Sequence, residues 1–217
     1  MAPACTDKPD STESPIDIRT DGLVPDQNAA PLAVSYRSTA FAVENNGHTI
    51  EAIPADLTAD SVTVDGVVYF LQQFHFHASS EHLLNGAATP AELHLVHKSA
   101  DGAVLVLGVL LNVGAENDAL NELFSRIPSE AAESAPEPLE GPIDLTGIVP
   151  LSSPSVRYAG SLTTPPCTEG VQWNVFLEPS TVSAEQLSEF TKVYPDNHRP
   201  VQPLHDRKLT EVLAGAS

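Results

Sequence analysis

The feature that most constrains the fold is a pair of stretches, residues 61–77 and 91–114, in which strand-like strings flank a short turn. In the first, SVTV and VVYFLQQFHFH lie on either side of Asp65-Gly66, a dipeptide that favours the tight turn of a β-hairpin. In the second, AELHLVHK and AVLVLGVLLNVG lie on either side of a turn in SADG. Short strings rich in β-branched and aromatic residues are typical of strands, so both stretches predict β-hairpins.

The rest of the chain fits one strand-dominated domain with two or three short helices. A length of 217 residues suits a single core, and 19 prolines with short apolar runs favour strands joined by rigid loops. Strands are also expected in AVSYRS, HTIEAI and VQWNVFLEP, and a helix in 116–126. Ser183 followed by Gln186 has the pattern of a capping box and predicts a second helix start. Residues 1–15 are expected to form an irregular arm, and residues 130–142 an exposed loop.

The charge of the chain limits its partners. Its 29 acidic and 10 basic residues give a formal net charge of −19, which repels nucleic acid and anionic lipid. The acidity fits either an ordinary solvated surface or adaptation to high salt. No run approaches the ~18 apolar residues of a membrane span, so membrane insertion is not expected. The first ten residues also lack the basic and apolar regions of a signal peptide.

The two cysteines, Cys5 and Cys167, fit no metal or redox spacing. They are either two small buried hydrophobic residues or one disulfide that closes a very long loop. We favour the disulfide, which predicts a periplasmic or secreted protein.

Three histidines are placed where two strands could bring them together. Alternate residues of a strand share a face, so strict alternation assigns the following residues to one face: Val67, Tyr69, Leu71, Gln73, His75 and His77. The opposite face then receives Val68, Phe70, Phe74 and Phe76. Glu92, His94 and Val96 likewise share a face of the following strand. If the two strands pair antiparallel, His94 joins His75 and His77 in one cluster.

Three imidazoles and one open position describe a catalytic zinc site. Gln73 and Glu92 each lie two residues before a candidate ligand, where their oxygens could accept its second ring N–H and fix its orientation. Two alternatives remain at this point. One is a polar sheet face that happens to be rich in histidine. The other is a cupin-like metalloenzyme, because HFHASSE also matches the first cupin metal motif.

A series of strings resembles the α-class carbonic anhydrases, in the order that the family has them. They cover most of the chain from residue 14 onward and read SPIDI, NNGH, QFHFH, SEH, AELHLVH, VLG, GSLTTPPCTEGVQW and RPVQPL. The short passage between HFH and SEH, and the cysteine after TTPP, resemble the bacterial branch, which is exported and carries one disulfide.

The resemblance implies a mainly β (α+β) fold, with a large twisted, mostly antiparallel sheet and short peripheral helices, in one catalytic domain over residues 16–217. It implies reversible hydration of carbon dioxide to bicarbonate and a proton by attack of zinc-bound hydroxide. His75, His77 and His94 would hold the zinc, with Gln73 and Glu92 behind them.

The resemblance also implies roles for other residues. Thr163 would accept a hydrogen bond from the zinc-bound hydroxide and donate one from its own hydroxyl to Glu81. His48 would carry protons to buffer. Substrate would lie against Thr164, Val96, Val106, Leu162 and Trp173. His82 and His97 would be structural, and no role follows for His198 or His205.

Further expectations concern inhibitors, assembly and departures from the family. Sulfonamides and small anions are the expected inhibitors, and a homodimer is compatible with the sequence. The chain starts without the family's aromatic-rich arm, and Glu13 replaces a usual glutamine. The remaining alternative is a catalytically silent relative that serves as a binding module; such relatives have typically lost a zinc-ligand histidine, and all three are present here.

Overall fold

A computed structural model describes residue 5, residues 11–131 and residues 135–214. Of the arm expected over residues 1–15, Cys5 and residues 11–15 are described, and they contain neither helix nor strand. The strands of the described residues are β1 (Asp17–Ile18), β2 (Ala33–Ser35), β3 (Thr39–Asn45), β4 (Ile50–Pro54), β5 (Ser61–Val64), β6 (Val67–His77), β7 (Leu83–Leu84), β8 (Ala91–Ser99), β9 (Val104–Val113), β10 (Glu137–Ile143), β11 (Ser155–Ser161), β12 (Glu169–Phe176), β13 (Ser180–Val182) and β14 (Thr210–Val212).

Twelve of these strands form one sheet, whose main order is β10-β3-β4-β6-β8-β9-β12-β11-β14. On its margins β5 pairs with β6, β2 with β5, and β13 with β9. All pairings in this sheet are antiparallel except those of β9 with β12 and with β13. β1 and β7 form a separate parallel pair. The expected large, mostly antiparallel sheet is confirmed.

The helices are short and lie at the periphery. α1 spans Asn121–Ser125 directly after a 3₁₀ turn at Asp118–Leu120, and a second 3₁₀ turn covers Leu145–Gly147. α2 spans Ala184–Thr191, and Ser183 and Gln186 form the capping box that their spacing predicted. Neither α-helix of the described ranges has the length or the apolar character to cross a bilayer.

The turn between β5 and β6 forms as its sequence indicates. Asp65 and Gly66 have φ angles of 51° and 79°, the left-handed values that a two-residue hairpin turn requires. This hairpin fixes where β6 begins, and β6 carries two of the three clustered histidines.

The expected alternation along β6 is wrong in its first half. The register between β6 and β8 shifts between Leu71 and Gln73, so Gln72 is an extra residue, a β-bulge. Because of this extra residue, the β6 residues that precede Gln72 point to the opposite face from the one that strict alternation assigns. Tyr69 and Leu71 therefore join Phe74 in the main hydrophobic core rather than lying beside the histidines. Val68, expected in the core, is 41% exposed.

The segment expected as a loop at residues 130–142 is partly a strand. Residues 137–143 form β10, which pairs with β3 at one margin of the sheet. Its prolines, Pro138 and Pro142, are tolerated because an edge strand needs only one row of backbone hydrogen bonds. The register shifts between these two prolines.

Two hydrophobic clusters cover the two sides of the sheet, as β9 illustrates. Leu105 and Leu107 belong to the larger cluster, whereas Val106 belongs to the smaller one with Trp173 and Val175. Buried sheets with both faces covered read as continuous apolar runs, which explains the VLVLGVLL string of β9.

Candidate metal centre and active-site cavity

Three histidine side chains meet on neighbouring strands. His75 and His77 lie on β6 and His94 lies on β8, where His75 and His94 are direct antiparallel partners. One ring nitrogen from each lies within 4.8 Å of the others. All three residues are buried, with exposed fractions of 8%, 1% and 1% respectively. The juxtaposition expected from the strand pattern is therefore present.

Each imidazole is oriented by a hydrogen bond from its other nitrogen. His75 Nδ1 donates to Gln73 Oε1 at 2.8 Å, and His94 Nε2 donates to Glu92 Oε1 at 2.9 Å. These are the two oxygen partners that the sequence pattern proposed. The free nitrogens are consequently Nε2 of His75 and Nδ1 of His94.

The third orienting group was missed by sequence reasoning. His77 Nδ1 donates to the backbone carbonyl of Asn197 at 3.1 Å, across 120 positions of sequence. A backbone carbonyl has no residue-type signal, so only the folded chain reveals it. His77 Nε2 is left buried without a hydrogen-bond partner among the described residues.

Burial favours the neutral imidazole at two of the three clustered histidines, His75 and His77. Burial, followed by the proximity of His77 and His94, lowers the pKa of His75 well below its ordinary value. Burial likewise lowers the pKa of His77. Burial also acts to lower the pKa of His94, but Glu92 and Glu81 outweigh it and raise that pKa. Burial acts to raise the pKa of Glu92, but His82 and His94 hold it well below its ordinary value.

These residues fit a zinc ion. The decisive observation is the buried Nε2 of His77, because an unpaired buried nitrogen is costly unless something outside the protein binds it. Three nitrogen donors, each with its opposite nitrogen anchored to an oxygen, are the ligand set of catalytic zinc. The ligands also border open space, since His75 and His94 line a cavity of about 150 Å³.

A second grouping of metal-binding residue types, His82 with Glu92 and His94, is a hydrogen-bond network instead. His82 Nδ1 donates to Glu92 Oε1 at 2.7 Å, and its Nε2 lies 2.6 Å from the hydroxyl of Tyr158. Burial raises the pKa of Tyr158 well above its ordinary value, so this hydroxyl stays protonated and donates. Both nitrogens of His82 are thus engaged. The role of Tyr158 was not anticipated from sequence.

Glu81 has one satisfied and one unsatisfied oxygen. Oε1 accepts the backbone N–H of Arg199 at 2.7 Å. Oε2 has no hydrogen-bond partner in the described part of the chain. Glu81 and Thr163 both line a second cavity, of about 400 Å³. The Thr163 hydroxyl does not form a hydrogen bond with Glu81 Oε2. The structure therefore brings the two residues to one cavity without the bond that the resemblance implied.

The smaller cavity has an apolar wall beside the histidines. Its lining consists of Gln73, His75, His94, Val96, Val106, Leu162, Thr163, Thr164 and Trp173. All five residues expected to contact substrate are in this set. Trp173 is also tied into the fold, because its indole N–H donates to the carbonyl of Ser161 at 2.9 Å.

His48 lies at the wider cavity. It is exposed in the turn between β3 and β4, where its backbone N–H donates to Asn46 Oδ1 at 3.0 Å. It lines the cavity of about 400 Å³ together with Glu81 and Thr163. His48 therefore borders the same open space as Glu81 and Thr163.

The N-terminal segment is fastened to the same region. Cys5 and Cys167 form a disulfide with a Cα–Cα distance of 5.8 Å, as favoured from the sequence. Glu13, which replaces a usual glutamine, is buried and forms an ion pair with Arg199. The carboxylate at this position is thereby compensated by a guanidinium.

Comparison with known proteins agrees with this geometry. Residues 2–212 match the model of the family described as eukaryotic-type carbonic anhydrase. A carbonic anhydrase of Klebsiella pneumoniae is 44% identical over 183 residues, which cover 84% of this chain and 74% of that protein. One from Pectobacterium carotovorum is 38% identical over 196 residues, covering 90% of this chain and 78% of that protein.

A solved structure has the same fold over most of both chains. The α-carbonic anhydrase from Thermovibrio ammonificans, in complex with the inhibitor sulfanilamide, matches with a TM-score of 0.85 and 46% identity. The match covers 92% of this chain and 86% of that one. The chain therefore belongs to the eukaryotic-type, or α, carbonic anhydrase family of zinc enzymes, which hydrate carbon dioxide reversibly to bicarbonate.

Proposed function

We propose that this chain hydrates carbon dioxide at the cluster of His75, His77 and His94, which holds the zinc ion. The observation that carries the proposal is the convergence of one ring nitrogen from each within 4.8 Å, with His77 Nε2 otherwise unpaired. A bound zinc ion supplies Lewis acidity, which makes a water ionise near neutral pH. Carbonic anhydrase is the standard example of that effect.

The residues behind the ligands keep them in place. Gln73, Glu92 and the carbonyl of Asn197 each hold one imidazole by its second nitrogen. Glu92 also accepts the backbone N–H groups of Glu81 and His82, both at 2.8 Å, so its carboxylate is itself fixed. A rigid ligand set of this kind lowers the reorganisation needed when substrate arrives.

Thr163 and Glu81 orient the nucleophile. The open oxygen Oε2 of Glu81 can only accept a hydrogen bond, and the Thr163 hydroxyl is the donor that shares its cavity. Once Thr163 donates to this carboxylate, its oxygen is free to accept a hydrogen bond from the nucleophile. This order of donors turns a lone pair of the nucleophile toward the substrate.

Carbon dioxide occupies the smaller cavity. The molecule is uncharged and forms weak hydrogen bonds, so the apolar surface of Val96, Val106, Leu162 and Trp173 suits it better than water does. Thr164 lines the same cavity. A volume of about 150 Å³ is ample for a three-atom substrate.

His48 carries the proton released in each turnover to buffer. Its position on the cavity of about 400 Å³ and its exposure to solvent support this role. A histidine changes charge near neutral pH, which a proton carrier must do in both directions.

We further propose that residues 16–217 act as one catalytic domain in a periplasmic or secreted protein. The disulfide between Cys5 and Cys167 supports an oxidising compartment. Sulfonamides and small anions are the expected inhibitors, a homodimer is compatible with this function, and the acidic surface is compatible with growth at high salt.

The deciding experiment is stopped-flow hydration of carbon dioxide by protein of measured zinc content, with and without a sulfonamide. Activity proportional to zinc content and abolished by the sulfonamide supports the proposal. A fully zinc-loaded protein without activity would instead identify a silent binding module. The cupin alternative no longer applies, because the fold and the family are those of carbonic anhydrases.

A further inference from the structure

His198 is a cavity histidine to which the site described above gives no role. It lies in the irregular segment that follows α2. Like His48, it lines the cavity of about 400 Å³ that reaches Glu81 and Thr163. Two histidines from separate segments therefore border the same water-accessible space.

Asp196 holds one side of the His198 ring. The Nδ1 atom of His198 lies 2.5 Å from Asp196 Oδ1, so it donates its proton to this carboxylate. The side chain of His198 is 36% exposed. Within the described ranges, Nε2 has no hydrogen-bond partner on the protein, which leaves it available to water.

Asn197 fixes the backbone that carries His198. Its carbonyl accepts from the metal-cluster residue His77 at 3.1 Å, and its side-chain amide donates to the carbonyl of His48 at 3.0 Å. The same amide also donates to the carbonyl of Phe76 at 3.2 Å. His198 is thus the immediate neighbour of a residue that is bonded both to the ligand set and to the His48 turn.

We propose that His198 is a second proton-transfer residue, which works alongside His48 in the same cavity. A cavity water takes up the proton released in turnover and gives one of its protons to Nε2, so that one O–H bond of this water forms, another breaks, and an N–H bond forms on the ring. The imidazolium then loses this proton from Nε2 to a buffer base, while the Nδ1 proton stays on Asp196. The ring is unchanged after each cycle. The other titratable or charged groups lining this space are Glu81, Tyr194, Arg199, Asp196 and His48.

The inference rests on the proposed function, and its test separates the two. Stopped-flow hydration by the zinc enzyme in dilute buffer compares His48→Ala, His198→Ala and the double variant. His205→Asn is the matched control, because His205 is exposed and is not among the residues that line this cavity. We expect kcat of the double variant to fall on the order of tenfold below that of His48→Ala. kcat/KM should remain unchanged, and added imidazole should restore kcat.

NMR of the ring nitrogens provides a readout independent of activity. In the zinc enzyme, the neutral His198 ring should carry its proton on Nδ1, which faces Asp196, and leave Nε2 unprotonated to accept a hydrogen bond from water. A double variant no slower than His48→Ala, or a neutral His198 ring that carries its proton on Nε2 instead, overturns the inference. His198→Asn keeps a hydrogen-bond donor for Asp196. It therefore serves as a second variant if His198→Ala does not fold. If the unsubstituted, zinc-loaded enzyme does not hydrate carbon dioxide at all, the proposed function is overturned instead.

Discussion

His97 makes the fold sensitive to acid, and the size of the effect can be worked out from its surroundings. It is fully buried, its ring lies nearly parallel to that of Tyr36 with a centroid distance of 5.9 Å, and its Nε2 lies 2.7 Å from the Tyr36 hydroxyl. Burial lowers the pKa of His97 from 6.5 to about 4. As the pH falls, the unfolded chain therefore takes up this proton before the folded one does.

The sign and size of the effect follow from proton linkage. Because the folded pKa is the lower one, stability is complete above about pH 7 and is lost as the pH falls through 6.5 toward 4. One pKa unit corresponds to about 1.4 kcal/mol. Relative to neutral pH, His97 alone therefore lowers the free energy of unfolding by about 2 kcal/mol at pH 5 and about 3 kcal/mol at pH 4.

The perturbation is His97→Asn, and the assay is urea unfolding of wild type and variant at several pH values between 7.5 and 4. At pH 7.5 the variant should be the less stable protein, because it loses the Tyr36 contact. The gap should then shrink by about 3 kcal/mol toward pH 4. Taking the difference cancels the titration of groups that both proteins share, including the clustered histidines.

Tyr36→Phe is the matched control, because it removes the hydroxyl but keeps His97 and its burial. It should lower stability by about 1 kcal/mol while keeping most of the wild-type pH dependence. A gap between wild type and His97→Asn that stays constant from pH 7.5 to 4 would refute the reasoning.

Four further predictions concern the metal, the disulfide and the surface. His94→Ala should abolish zinc retention and hydration together, as measured by metal analysis and stopped flow; near-normal activity would contradict the ligand assignment. Glu92→Gln should weaken zinc affinity by about 10- to 100-fold in competition with a chelator, since it alters the acceptor behind a ligand, and an unchanged affinity would argue against that positioning role. Replacing Cys5 and Cys167 with serine should cost up to about 5 kcal/mol in urea unfolding, because their bond spans 162 positions; equal stability would exclude this contribution. If the acidic surface is a salt adaptation, the melting temperature should rise between dilute buffer and molar salt, whereas a flat series would remove the idea.

Much of the site was predictable from local pattern. The spacing of His75 and His77 puts two imidazoles on one face of a strand, and residues at −2 from the ligands place Gln73 and Glu92 correctly. These inferences hold because they span only a few residues within one strand, where the side-chain period of two is fixed by backbone geometry. Antiparallel pairing then needed only the correct register to add His94.

Local pattern failed where a long-range contact decided the outcome. The bulge at Gln72 turns Tyr69 and Leu71 toward the core. Burial of these two apolar side chains is favourable, and strict alternation would have placed them on the other face of the strand. The segment at 137–143 became β10 because an unpaired margin of β3 was available, although its prolines suggested a loop.

By itself, the sequence determined a strand-rich chain with three histidines on two neighbouring strands, because periodicity and residue type are local properties. The tertiary structure alone decided that the carbonyl of Asn197 anchors His77 and that Tyr158 engages His82. It also brought His48 and His198 to one cavity. Every residue has a backbone carbonyl, and a cavity is lined by residues from several separate segments. Neither feature therefore has a local sequence pattern from which it could be predicted.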